Sequence, residues 1–132
     1  MANEATLRIE THVPINFTCA DGTGIEKGAL VKLSSPMTAS LSDGNNDIVA
    51  GIVQSDKIAG SGIASVSVFR GGVFAVNVNG TVSAGDPVVF NGSNQVKLAV
   101  ANQENIAGYM LEDATDGQTK LMELRPTTMQ LA

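Results

Sequence analysis

The stretch IASVSVF (63–69) alternates apolar and polar residues strictly, the pattern of a strand with one face buried and the other in water. ALVKLSS (29–35), DIVAGIVQ (47–54), PVVFNG (87–92) and NIAGYMLE (105–112) are apolar runs of single-strand length. GVFAVNVN (72–79), NQVKLAV (94–100) and TKLMELR (119–125) read the same way, and THVPINFTC (11–19) is extended. Between them stand clusters of Gly, Asn, Asp and Ser that read as turns: ADGTGIEKG (20–28), SDGNND (42–47), KIAGSG (57–62), GTVSAGD (80–86) and DATDGQ (113–118). Pro87 opens its run, where a missing N–H costs a strand least. Little reads as helix. The pattern predicts an all-β fold, a compact β-barrel or sandwich of about eight short strands.

The order of turns and strands occurs twice. Sliding the sequence by 57 positions pairs Phe17 with Phe74, Gly28 with Gly85, Val31 with Val88, Leu41 with Leu98 and Asn45 with Asn102. The same offset pairs Ala50-Gly51 with Ala107-Gly108, Asp56 with Asp113 and Gly60 with Gly117, without a gap. Beyond that point ASVSVF and TKLMEL correspond only after a small slip. Identity is sparse, so the constant offset and the order of elements carry the reading of a duplication. The two similar halves span about residues 17–69 and 74–125. A glycine inside an apolar strand, as at 51 and 108, marks a bulge or a close backbone approach.

Residues 1–16, MANEATLRIETHVPIN, lie outside the repeat, ahead of a single β domain over 17–132. Leu7, Ile9, Val13 and Ile15 occupy alternate positions, Arg8 and Glu10 fall on the other face, and Pro14 interrupts any ladder. Two readings follow. The segment is either an ordinary first strand or an extended N-terminal arm that becomes ordered on adding to the sheet edge of a partner.

Composition narrows the function. The chain has 132 residues, 14 Gly, one Tyr and no Trp, which suits short strands and leaves few aromatics for stacking a sugar. Net charge is −5 and the eight Lys and Arg are scattered singly, so no basic face for nucleic acid is expected. No signal peptide or membrane span is recognisable, and with one cysteine, Cys19, no internal disulfide can form; a soluble protein made in a reducing cytoplasm is expected. One His (His12) and Cys19 do not make a zinc site, and no cofactor is expected.

Other chemistry fails on spacing. His12 has no nucleophile motif beside it, and reads as an exposed or interface residue. Gly22, Gly24 and Gly28 miss the dinucleotide fingerprint, because Lys27 stands where its last glycine belongs and no helix follows. Asp43, Asn45 and Asp47 match the first three ligand positions of a calcium loop, but Ile48 replaces its glycine and Gln54 its bidentate glutamate. The stretch reads as a hairpin turn. Glu112, Asp113 and Asp116 are close in sequence and read as solvated turn carboxylates rather than an acid–base pair.

The run AGIVQSDKIAGSGIASVSVFRGGVFAV (50–76), the motif Val82-Ser83-Ala84-Gly85-Asp86-Pro87-Val88 and the opening MANEAT resemble the tailed-phage capsid decoration, or cement, proteins. The resemblance covers most of the chain through short motifs. It implies a non-enzymatic virion protein, made in the host cytoplasm, on the exterior of an expanded icosahedral head. Such proteins commonly sit there as homotrimers and clamp neighbouring major capsid protein subunits, without nucleic acid or membrane. It further implies that the N-terminal segment is the capsid-binding arm, through Leu7, Arg8, Ile9, Glu10, Val13 and Ile15. The two-copy pattern is not shared by every such protein, and the tail RPTTMQLA matches no assigned role. Two alternatives are another virion β domain, in a tail, baseplate or fibre attachment, and a small enzyme or sugar-binding barrel with converging polar groups.

Overall fold

The computed structural model describes residues 3–100 and 105–128, and these form eleven β-strands with no helix among them. The first half builds β2 (Ile15–Thr18), β3 (Leu30–Ser35), β4 (Thr38–Leu41), β5 (Val49–Val53) and β6 (Ser65–Phe69). They close into a barrel in the order β2-β4-β3-β5-β6. Closure removes the sheet edges and turns alternate residues inward, so Phe17, Val31, Ala50, Val66 and Val68 form its interior. β4 is a strand that the turn chemistry did not announce: its hairpin turns at Pro36-Met37, with Met37 at a φ of 49°, where Gly or Asn is usual.

The second half builds β7 (Gly72–Asn77), β8 (Pro87–Phe90), β9 (Val96–Leu98), β10 (Asn105–Met110) and β11 (Thr119–Thr128). With β1 (Thr6–Ile9) they make a six-stranded sheet in the order β1-β7-β11-β10-β8-β9. The last five repeat the neighbour relations of the barrel, and an isolated parallel bridge, Val78↔Val96, stands where the parallel β2–β4 contact closes the first half.

The duplication extends to individual hydrogen bonds. Ile25 and Lys57 exchange both backbone bonds (2.9 and 2.7 Å), and at the offset of 57 Val82 and Ala114 do the same (2.9 and 3.0 Å). Gly60 N donates to Asp21 O at 2.8 Å, as Gly117 N does to Val78 O at 2.8 Å. Asp56 Oδ1 accepts from Lys27 N at 2.7 Å, as Asp113 Oδ1 does from Ala84 N at 2.8 Å. The register Val31↔Gly51 is matched by Val88↔Gly108. The slip has a definite place: the copies keep step through Gly60 and Gly117, after which the first has Ser61–Ala64 where the second has only Gln118. Asn102, the expected counterpart of Asn45, lies outside the described residues.

Gly51 and Gly108 sit where strands approach too closely for a side chain. A Cβ at 51 would run into the carbonyl oxygen of Phe69, and one at 108 into that of Glu123. A register break adjoins each, between Val31 and Lys32 opposite β5 and between Ile106 and Gly108 opposite β11.

The halves share one core. Leu30, Val49, Ile52 and Phe69 of the first pack with Phe74, Val88, Phe90 and Met122 of the second, and the Phe69 and Phe74 rings meet edge to face at 5.7 Å. Each such side chain contributes about 1.5–3 kcal/mol on burial, so this apolar seam fixes the halves together. Polar contacts set the register. Asn46 N donates to Phe90 O at 3.0 Å, and Asn46 Oδ1 accepts from Asn105 N at 3.1 Å, so the Asp-Gly-Asn turn reaches across to the other half. Asn94 is the densest node: its Oδ1 accepts from Leu30 N (2.8 Å), and its Nδ2 donates to Asn3 O (2.8 Å) and Gly28 O (3.2 Å).

Residues 3–16 divide between the two sheets. Thr6–Ile9 pairs antiparallel with β7 as an edge strand, Ala5 N donates to Gly28 O at 3.1 Å, and Ile15 opens β2 of the barrel. The boundary expected at residue 16 thus falls inside β2. Met1 and Ala2 lie outside the described residues.

Candidate functional site

The feature of this fold that invites a partner is the outer edge of β1. Its inner edge pairs with β7 (Thr6↔Ala75, Leu7↔Phe74, Ile9↔Val73), and among the described residues no strand pairs with its other side. An unpaired strand edge offers a row of backbone donors and acceptors to an incoming chain. Between β1 and the barrel runs a groove of about 440 Å³, with Leu7, Phe69 and Phe74 along it, Lys27 and Val53 on the barrel side, and Glu4 and Glu10 on the N-terminal side.

Among the residues expected to form a binding arm, Leu7 is half-buried and packs on the shared core, while Arg8 and Glu10 are exposed. Simple alternation puts Ile9 on the face of Leu7. The register break between them makes Arg8 the extra residue, and Ile9 is left 58% exposed. Val13 is 78% exposed in the crossing between sheets, and Ile15, 44% exposed, pairs with Val68 at the mouth of the barrel. Ile9, Val13 and Ile15 are therefore three exposed apolar residues on one short stretch of chain. On the same stretch the His12 ring lies directly against Gly71, where a Cβ would meet it. Thr11 Oγ1 stands 2.8 Å from His12 Nδ1.

The acidic clusters serve turns. Asp47 Oδ2 accepts from Ser42 Oγ (2.9 Å), Asp43 N (3.1 Å) and Gly44 N (3.0 Å). Asp43 Oδ1 accepts from Lys32 Nζ at 2.7 Å; this bond holds the Asp43 carboxyl below its ordinary pKa and the Lys32 ammonium above its own. Glu112 accepts from Leu121 N and Asp116 from Gly80 N, in the manner of the Asp113–Ala84 bond. Among the described residues no group of three His, Cys, Asp or Glu is placed to hold a metal ion. Cys19 is buried in the barrel.

One group carried no signal in the sequence. Lys57 is 5% exposed, and its ammonium donates to the carbonyls of Ala20 (2.6 Å), Asp21 (2.7 Å) and Thr23 (2.7 Å). All three of its N–H donors are used, which is what allows a lysine to be buried without a carboxylate. Only the repeat singles it out, because Ala114 stands at the equivalent position.

Comparison with known proteins adds the family. The profile of a family described as phage cement protein matches residues 9–126. No curated protein matches the chain. Among solved structures, the N base of the head fibre protein gp8.5 of bacteriophage phi29 has the same fold, with a TM-score of 0.58 at 14% identity, over 90% of this chain and 98% of that one.

Proposed function

Because this chain belongs to the phage cement protein family, we propose that it binds the outer surface of an expanded icosahedral head and stabilises it by clamping neighbouring major capsid protein subunits. The observation that carries this reading is β1, an edge strand whose outer side is unpaired among the described residues and which ends at the exposed Ile9, with the exposed Val13 in the crossing after it. A strand of the capsid protein adding to that edge gains backbone hydrogen bonds worth about 1 kcal/mol each, and the exposed side chains supply the apolar contact. Arg8 and Glu10 select register through charge, and Leu7 anchors the edge strand to the core from beneath. In a homotrimer on the shell, three such weak contacts multiply through effective concentration. The role is mechanical and asks for no catalysis, cofactor, nucleic acid or membrane.

A base for a fibre is the second reading, supported by the likeness of fold to the phi29 head-fibre base.

Co-sedimentation with expanded and unexpanded heads of the phage that encodes the protein tests the first reading. Deleting residues 2–16 would also remove β1 and the first two residues of β2, so surface substitutions are the cleaner probe. Wild type is expected to saturate expanded heads, and Ile9→Asp with Val13→Asp to bind them at least roughly tenfold more weakly while folding normally. Equal binding by the double variant removes β1 and its following crossing as the contact. No binding by wild type to either head removes the cement role.

A further inference from the structure

Each half of a duplicated fold is a control for the other: a feature present in one copy, and dispensable for folding in its twin, serves something besides folding. By this test the β5–β6 connection stands out. The second copy's connection covers residues 111–118; Leu111, 46% exposed, stands at its start, and in the part that differs, Ala114, Thr115, Asp116, Gly117 and Gln118, the exposed members are polar or glycine. The first copy uses Lys57–Ala64, three residues longer, and displays Ile58 at 72% and Ile63 at 52% exposure.

The longer loop is held to the facing turn by hydrogen bonds along its length. Lys57 binds three carbonyls of the facing turn, Gly60 N and Gly62 N donate to Asp21 O and Oδ1 (2.8 and 2.9 Å), and Ser61 Oγ donates to Ile58 O at 2.8 Å. Two large apolar side chains are thus presented to water on a preorganised support, which lowers the ordering cost of binding. Exposed charge around them is acidic, from Asp21 and Asp56, while the one lysine of the loop is turned inward. Ile63 borders a hollow of about 190 Å³ of mixed polarity, lined also by Asn16, Asp56, Lys57, Val66 and Ser67, in which the Asn16, Asp56 and Ser67 side chains carry acceptor oxygens.

We propose that the loop Lys57–Ala64 is a second shell contact, separate from β1, in which Ile58 and Ile63 seat against an apolar patch of the major capsid protein bordered by Lys or Arg. This rests on the cement reading above. Charge complementarity favours the capsid protein over a second copy of this chain, since Asp21 and Asp56 call for basic groups at the border of the facing patch, and this chain, at net charge −5, carries its eight Lys and Arg scattered singly.

The test uses two variants of the full chain: Ile58→Ser with Ile63→Ser, and a graft in which Lys57–Ala64 is replaced by the second copy's own Ala114–Gln118 sequence. Both are assayed by thermal melting, analytical ultracentrifugation and co-sedimentation with expanded heads. The serine variant alters only exposed side chains, so it keeps the wild-type melting temperature even if the graft does not fold. The expected result is shell affinity reduced by roughly tenfold or more in the serine variant, with an unchanged oligomeric state. Wild-type affinity in that variant overturns the proposal. So does loss of self-association in place of shell affinity, which would make the loop a contact between copies. Failure of wild type itself to bind heads refutes the cement reading and this inference with it, and is distinct from failure of the loop alone.

Discussion

Replacing Gly108 by alanine probes the closest backbone approach in the second half. Gly108 lies in β10 between β8 and β11, registered with Val88 on one side and Leu124 on the other. A Cβ there meets the Glu123 carbonyl far inside van der Waals contact, and the atoms in the way are backbone rather than a flexible side chain. To restore an ordinary separation, β11 must withdraw by about 1 Å. Pairing on both sides of β10 prevents that strand from sliding away instead. Two ladder hydrogen bonds at about 1 kcal/mol each, with about 1–3 kcal/mol of overpacking around Met122 and Leu124, give an expected destabilisation of about 3–5 kcal/mol. Urea unfolding followed by tyrosine fluorescence and circular dichroism measures it, since Tyr109 adjoins the site. Gly51→Ala meets the same obstacle at Phe69 and adds a φ of 150°, so its loss should equal or exceed that of Gly108→Ala. A cost below about 1 kcal/mol at both positions would refute the close approach as a requirement of this fold.

Four further outcomes are expected. Met37→Asn should stabilise by about 1 kcal/mol, because Met37 holds a φ of 49° that Asn tolerates, and Asn94 occupies the equivalent turn at 57°; Asn94→Met should cost about 2–4 kcal/mol through its three bonds to Leu30, Asn3 and Gly28, both read by denaturant midpoint. Lys57→Met should destabilise by about 2–4 kcal/mol, the lost charged hydrogen bonds outweighing the recovered desolvation, and a more stable variant would show the ammonium to be dispensable. Because Lys32 lowers the Asp43 pKa, their pairing contributes above the carboxyl's unfolded pKa and is lost as pH falls through its lowered folded value. Asp43→Asn should therefore lower stability slightly at neutral pH and low salt but not in strong acid, and a deficit that persists in strong acid contradicts the assignment.

Much of the architecture was legible because strands in a small β domain write their faces directly into the sequence. The alternation of Ser65–Phe69 and the paired Ala-Gly dipeptides located β6, β5 and β10, and the offset that aligned Val31 with Val88 is the offset of the hydrogen-bond ladders. β4 was missed because Pro36-Met37 lacks the Gly or Asn that a two-residue turn prefers. The ambiguity of residues 1–16 was physical: an alternating strand looks the same whether it pairs with its own sheet or a partner's, and β1 pairs with β7 of its own sheet through one edge. The break at Arg8, which turns Ile9 outward, depends on the register with β7, which no local pattern encodes. Lys57 in KIAGSG reads as a solvated turn lysine, and its burial depends on carbonyls more than thirty positions earlier.

The pairing of β1 with β7 also gives the molecule a strong direction. Tension applied along a strand loads its ladder bonds together in shear, whereas tension across it opens them one at a time, so the same few bonds resist very different forces. β1 is short, but it is bolted sideways at its start, through Ala5 to Gly28 and through Asn3 to Asn94. A pull entering at this strand is therefore shared between the ladder to β7, the Gly28 anchor on the barrel and the Asn94 anchor on the second half, so it loads both halves together.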